Sequence, residues 1–403
     1  MSLSIQIMNK TQPFSLFDPS PEHYSLRETI KNFVTAEVEP QALEFNRKEI
    51  FNTALFRKLG DLGLLGITAS DEHGGSGFDA TACVIAHEEL SASDPAFCLS
   101  FLAHSMLCVN NIAVNANEEQ KKMYLPKLSS GEWIGAMGMS ETEAGTDVLS
   151  MRTTATLQND HYILNGRKMW ITNGCIDEGK TLGDVFVLYA RTNPVSEAKA
   201  KISTFILTKD LPGFSVGQKI RDKLGMRASN TAELVLDNVA VPRTHLIGEE
   251  GGSIKHMMRN LEIERVTLAA MSLGIARRCI EVMTEYAKTR KAFGKKIAEF
   301  GQIQQMIADS FAEYQAARSY VYYTAANLNL NKEGSRLDSD GVKLFATPMA
   351  KRVADRAIQV LGGNGYIGEY VVERLWRDAK LLEIGGGTIE AHQKNILMDL
   401  IKQ

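Results

Sequence analysis

A mainly α-helical fold with a central β domain is what this sequence predicts. Three observations carry the prediction. Apolar residues recur at helical intervals from Glu22 to about Pro126, short β-rich runs separated by turn signals follow from about Trp133 to Val241, and long helical patterns resume after Gly251-Gly252. At 403 residues the chain exceeds what one hydrophobic core usually organises, so two or three packed subdomains are expected. The pattern divides them into an all-α domain over 16–132, a middle β domain over 133–248 and a C-terminal helical bundle domain over 249–403.

In the first region Leu55, Leu59, Leu62 and Leu64 stand at helix-like intervals, and Ser91-Ala92-Ser93-Asp94-Pro95 separates two apolar stretches. The middle region offers Tyr162-Ile163-Leu164, Asp184-Val185-Phe186-Val187-Leu188-Tyr189 and Ile202-Ser203-Thr204-Phe205-Ile206-Leu207 as strands, with Asn165-Gly166, Asn173-Gly174 and Pro212-Gly213 as turn signals. A small antiparallel barrel or sandwich accommodates such runs. The last region reads as helices over roughly 254–288, 303–328 and 339–361, followed by a final helix, and their apolar faces predict a bundle.

Composition narrows the function. A formal net charge of -3 offers no broad basic field, so nucleic acid is not an expected partner. No stretch reads as the roughly 20 consecutive apolar residues of a membrane span. The N-terminus shows no charged segment followed by an apolar one, so neither membrane insertion nor secretion is expected. Cys83, Cys98, Cys108, Cys175 and Cys279 lie far apart, with no CxxC pair and no histidine at zinc-ligand spacing. They read as reduced, buried thiols, and no metal site is expected.

Candidate chemistry begins at Asn260-Leu261-Glu262-Ile263-Glu264-Arg265. Two glutamates two residues apart on a helix differ by about 200° and cannot share a face. Glu264 is at helical spacing from Met257, Leu261, Leu268 and Met271, whereas Glu262 groups with Arg259, Arg265 and Val266. Glu264 is therefore the inward-facing carboxylate. It is either a base whose pKa burial raises or half of a buried ion pair.

Two glycine runs stand out. Gln359-Val360-Leu361-Gly362-Gly363-Asn364-Gly365 could let backbone N–H groups approach a phosphate, or simply cap a helix. Gly385-Gly386-Gly387-Thr388 opens the last helix, where unpaired N–H donors meet an anion or a carbonyl oxygen. Neither has the spacing of a nicotinamide or P-loop site. Trp170-Ile171-Thr172 suits either core packing or the cover of a planar ring. Arg290-Lys291-Ala292-Phe293 suits either a nucleotide contact or a surface helix end.

Taken together and in this order, these segments resemble the acyl-CoA dehydrogenase family over nearly the whole chain, from about Leu16 to Asp399. The resemblance implies an N-terminal α domain, a middle β-barrel domain, a C-terminal four-helix bundle, a homotetramer and FAD as cofactor. It matches Met139, Ser140, Trp170 and Thr172 to positions around the flavin ring, and adds Thr146 in the altered loop Glu141–Asp147. Arg290 and Phe293 match residues that reach FAD across a subunit interface. Gln359, Gly362 and Gly363 match its adenosine-diphosphate cradle, and Thr388 a further contact.

The family carries its general base in one of two places. Here one of them is Gly386, which has no carboxylate, so the resemblance assigns the base to Glu264 on the long helix. It assigns the Gly386 N–H to the thioester oxygen, and Arg265 and Gly387 to the substrate. The segments around Glu264 and Gly386 are most similar to the isovaleryl-CoA branch, where a missing side chain at Gly386 leaves room for a branched tail. The implied function is FAD-dependent α,β-dehydrogenation of a short branched acyl-CoA, with electrons passed to an electron-transferring flavoprotein. Straight-chain dehydrogenases, acyl-CoA or nitroalkane oxidases and a non-catalytic scaffold are the rival readings. The implied setting is the cytoplasm of a bacterium, or the mitochondrial matrix for a processed eukaryotic chain.

Overall fold

The computed structural model describes residues 15–197 and 199–402; residues 1–14, on which the leader reading rests, lie outside them. The N-terminal region is helical, with α1 (Pro21–Phe33), α2 (Glu39–Lys48), α3 (Thr53–Asp61), α4 (Ala80–Ser91), α5 (Pro95–Leu102), α6 (Asn110–Asn115) and α7 (Glu118–Ser129). The break at residues 91–95 is a helix stop and restart. Pro95 occupies the first turn of α5, and the Asp94 side chain accepts from the N–H groups of Ala96 and Phe97. A π-helical segment, Ala103–Val109, joins α5 to α6.

The reading that no stretch is apolar enough for a membrane span is corrected at Pro95–Asn115. This helical run passes on length and composition, with a mean hydropathy of 1.6, yet 83% of its most apolar window is buried inside the protein. It is a core helix, apolar on all sides because other elements surround it.

The middle region holds β1 (Gly135–Gly138), β2 (Thr154–Gln158), β3 (His161–Thr172), β4 (Val185–Arg191), β5 (Ile202–Thr208), β6 (Phe214–Lys219), β7 (Thr231–Pro242) and β8 (Leu246–Ile247). They form one sheet in the order β6-β7-β3-β2-β4-β5-β8, with β1 beside β4. The pairs are antiparallel except β1–β4 and the contact between Thr154 of β2 and Arg191 of β4. Asn165-Gly166 is not a turn between strands. It lies inside β3, where the register with β7 shifts between Leu164 and Gly166, so the glycine marks a bulge.

The C-terminal region contains α8 (Ile254–Thr289), α9 (Gly301–Asn327), α10 (Arg336–Leu361), α11 (Val371–Leu382) and α12 (Ile389–Leu400). The sequence reading passed over α11, which is short and lies between two glycine-rich turns. Helix α8, of 36 residues, spans about 54 Å. One apolar cluster runs from Ile85, Phe97 and Phe101 through Val266, Leu268 and Met271 to Val342 and Met349, so the first and last regions share a core. A second joins Met139 and Tyr189 of the β region to Met257 and Leu261 of α8. The start of α8 is thereby held where all three regions meet.

Candidate active site

Glu264 lies in α8 and is 8% exposed. Burial drives its pKa up to about 7, against the lowering effect of Arg265 and Lys343. Its neighbour across the site is the glycine turn ahead of α12. A Cβ placed on Gly386 would sit 2.5 Å from Leu268 Cδ1, 3.3 Å from Glu264 Cδ and 3.4 Å from Glu264 Oε1. Residue 386 lacks a side chain because the carboxyl group of Glu264 and Leu268 already fill that space. Gly386 and Gly387 also have φ of +67° and +103°, which a larger residue adopts at a cost. The structure thus brings together Glu264 and Gly386, distant in sequence.

Glu262 departs from the expected division of faces. It is also buried, and its carboxylate accepts from the backbone N–H groups of Gly334 at 3.1 Å and Ser335 at 2.9 Å, ahead of α10. The second face of α8 is covered by the α9–α10 loop rather than by solvent, so both glutamates are inside with different tasks. Arg265 is buried as well. Its Nη1 lies 3.1 Å from Asp340 Oδ1 and its Nε points at the Gly386 carbonyl at 3.5 Å.

On the β side, Met139 is buried and Ser140 half-buried at the end of β1. Met169 N–H donates to the Ser140 carbonyl at 2.9 Å, which sets Met139 and Ser140 alongside Trp170 and Thr172 of β3. Trp170 is 52% exposed at φ +61°, a conformation in which its indole leaves the sheet and presents a free aromatic surface. Beneath them lies a residue that sequence reading missed. Lys168 is fully buried and donates to the Met139 carbonyl at 3.0 Å and to Glu141 Oε1 at 2.8 Å. Burial lowers its pKa to about 8. Glu141 in turn accepts from Arg152 N–H at 2.6 Å and Thr153 N–H at 3.0 Å, closing the loop that exposes Thr146.

The predicted contacts at 290–293 and 359–363 lie away from this cleft, whereas Thr388 belongs to the glycine turn itself. Gln359, Gly362 and Gly363 are exposed at the end of α10, and a Cβ on either glycine would meet nothing within 4 Å. That turn is tied to the end of α8 by Asn364 Nδ2, which donates to Tyr286 Oη at 2.9 Å. Beyond α8, Arg290 is exposed and Phe293 is 96% exposed. Such an aromatic gains only when something covers it. Thr388 caps α12 by accepting from Ala391 N–H.

The chain matches the acyl-CoA dehydrogenase N-terminal domain over residues 20–132, the middle domain over 136–239 and the C-terminal domain over 252–401. It belongs to the acyl-CoA dehydrogenase family. It is 42% identical over 390 residues to the mitochondrial isovaleryl-CoA dehydrogenase of Oryza sativa subsp. japonica, covering 96% of this chain and 93% of that one. Among solved structures it is similar to butyryl-CoA dehydrogenase from Megasphaera elsdenii, with a TM-score of 0.89, 34% identity and coverage of 95% and 98%. It is equally similar to a chain solved in work on the electron transferring flavoprotein of Acidaminococcus fermentans and flavin-based electron bifurcation, with a TM-score of 0.90, 34% identity and coverage of 98% and 100%.

An acyl-CoA dehydrogenase is an oxidoreductase, and members of the family are flavoproteins that use FAD. The residues present fit that group. An exposed indole beside a backbone held by Lys168 offers a wall for a planar ring, and the open Gly362-Gly363 turn leaves backbone free for a phosphate.

Proposed function

We propose that this acyl-CoA dehydrogenase oxidises a short branched-chain acyl-CoA, isovaleryl-CoA in the first instance, to the 2-enoyl-CoA. Glu264 is the general base and an electron-transferring flavoprotein is the electron acceptor. The observation that carries the reading is the contact between Glu264 and the Gly386 turn. A carboxyl group with a pKa raised to about 7 can accept a weakly acidic α-proton near neutral pH. The N–H of Gly386 is the donor to the thioester oxygen, where negative charge develops as that proton leaves. Leu268 and the buried start of α8 keep water from the carboxyl group, which makes it a stronger base.

FAD, when bound, supplies the two-electron acceptor for the β-hydrogen. Met139, Ser140, Thr146, Trp170 and Thr172 would hold its ring end, and Gln359, Gly362, Gly363 and Thr388 the rest, with Arg290 and Phe293 reaching a neighbouring copy in a homotetramer. Domain limits of 16–132, 133–248 and 249–403 go with this assignment. The likeness to isovaleryl-CoA dehydrogenase supports a branched tail, although Leu268 and the Glu264 carboxyl take up the space beside Gly386, and the likeness to butyryl-CoA dehydrogenase makes a straight four-carbon chain the competing substrate. A mitochondrial relative and bacterial neighbours fit either compartment.

The test is a panel of straight and branched acyl-CoAs assayed with an artificial electron acceptor. Wild-type protein is expected to give its highest kcat/KM on isovaleryl-CoA, and Glu264→Gln to keep flavin absorbance while losing roughly 10²–10⁴-fold in kcat. Full turnover in that variant ends the base assignment.

A further inference from the structure

The Gly385–Thr388 turn has no side chain of its own to fix its direction until Thr388, and glycine backbone loses the most freedom on being ordered. Something else must aim it. The Gly387 carbonyl accepts two hydrogen bonds from buried donors on different helices: Lys343 Nζ of α10 at 2.7 Å and His392 Nε2 of α12 at 3.0 Å. The ring of His392 packs on Gly387 so closely that a Cβ there would lie 2.9 Å from its Cε1. The other ring nitrogen, Nδ1, is 2.5 Å from Asp340 Oδ1, which also faces Arg265. Asp340, Lys343 and His392 are each 0% exposed.

We propose that Lys343 and the Asp340–His392 pair are positioning residues, which hold the Gly387 carbonyl and, with Arg265 at the Gly386 carbonyl, fix the turn so that the Gly386 N–H one residue earlier is aimed at the thioester oxygen beside Glu264. This rests on the dehydrogenase reading above and adds to it the device that preorganises the oxyanion donor. A carbonyl only accepts, so the His392 bond needs a hydrogen on Nε2. An imidazolium facing the Asp340 carboxylate carries that hydrogen, whereas a neutral ring that donates Nδ1–H to Asp340 does not. Burial, Lys343 and Arg265 lower the His392 pKa while Asp340 raises it, so the Lys343 bond to the Gly387 carbonyl is the one that stands in every protonation state of the ring. Preorganised donors accelerate proton abstraction because they need no reorientation as charge develops, and a misplacement of about 1 Å can cost on the order of 100-fold.

A merely structural cluster and a positioning cluster differ in what they do to an enolate. The probe is 3-oxobutanoyl-CoA, whose α-carbon lies between two carbonyls and ionises on binding without any hydride transfer. Its apparent pKa in the complex reads how well the oxyanion is stabilised. His392→Leu is expected to raise that pKa by about one unit, a tenfold loss, with butanoyl-CoA affinity within about twofold of wild type. His392→Gln, whose amide N–H can reach the same carbonyl, is expected to restore most of it. Leucine and glutamine leave the same charge behind, so the difference between the two variants reads the donor alone.

Lys343→Met provides a second variant with the same expected direction. If wild-type protein neither binds nor ionises the probe, the dehydrogenase reading falls and this inference with it. If wild-type protein ionises it and the leucine and glutamine variants behave alike, the positioning role alone is overturned.

Discussion

Glu264 shows how burial moves an ordinary carboxyl group into the neutral pH range. With its folded-state pKa raised to about 7, the carboxyl group is largely protonated at pH 6 and ionised at pH 8. The kcat/KM of the free enzyme is therefore expected to rise with pH through about 7, as measured on a good acyl-CoA over pH 5.5–8.5. Stability moves the other way. A carboxyl group whose folded pKa lies above its ordinary 4.5 contributes most at acid pH, and that contribution is lost as pH rises through about 7. Denaturation of Glu264→Gln between pH 5 and 7.5 should accordingly lack a downward slope that wild-type protein shows. Gly386→Ala should also be costly: its Cβ meets Leu268 and the Glu264 carboxyl, at a φ of +67°. A stability loss of about 1–3 kcal/mol is expected, together with at least a tenfold drop in kcat, read by thermal melting and steady-state assay.

At the scale of elements, α8 links the chemistry to the scaffold. One of its faces carries Glu264 toward the glycine turn, and another carries Glu262 to the backbone N–H groups of Gly334 and Ser335. That carboxylate does for α10 what a capping side chain does within a helix, from a neighbouring element. Glu262→Ala is expected to cost about 1–2 kcal/mol and to speed hydrogen exchange around residues 334–338 while leaving the Glu264 region protected. Exchange unchanged there would show that the α9–α10 loop is held by other contacts. The parity of the Glu262/Glu264 pair was legible in sequence, since helical geometry separates their faces. That both faces are buried was not legible, because the covering loop arrives from some seventy residues downstream.

The whole molecule is held at its helical end by a buried ionic cluster spanning α1, α4, α8 and α9. Glu88 accepts from Arg27 at 3.2 Å, Tyr314 at 3.1 Å and Tyr322 at 2.5 Å, and Arg318 lies 3.1 Å away. Glu89 bonds Arg27 at 2.5 Å and Arg277 at 2.6 Å. Burial works against the Glu88 carboxylate, but the surrounding Arg318, Arg27 and Arg277 hold it far below the usual carboxylate range. Its contribution is in place above about pH 4.5 and is lost only as pH falls through that depressed value. Arg27→Ala would strand buried negative charge, and a loss of about 3–5 kcal/mol in denaturant unfolding is expected. A loss under 1 kcal/mol would mean that Arg318 and Arg277 suffice.

Local chemistry accounts for what the sequence determined by itself. Periods of 3.6 and 2 separate the helical and β regions, Asp94-Pro95 restarts a helix, and the glycine runs mark turns. Each of these depends on neighbours within a few residues. Tertiary structure alone decided that Glu264 touches Gly386, that Glu262 is also buried, that Pro95–Asn115 is a core helix, and that Lys168, Asp340, Lys343 and His392 are inside. Asp340 and Lys343 sit three residues apart on α10, with Val342, Leu344, Phe345 and Ala346 around Lys343, and that was the signal available in sequence. The reason is physical. Periodicity states which face of an element is apolar, but a pKa or an aimed N–H depends on which distant element removes water from that face, and only the packed chain supplies it.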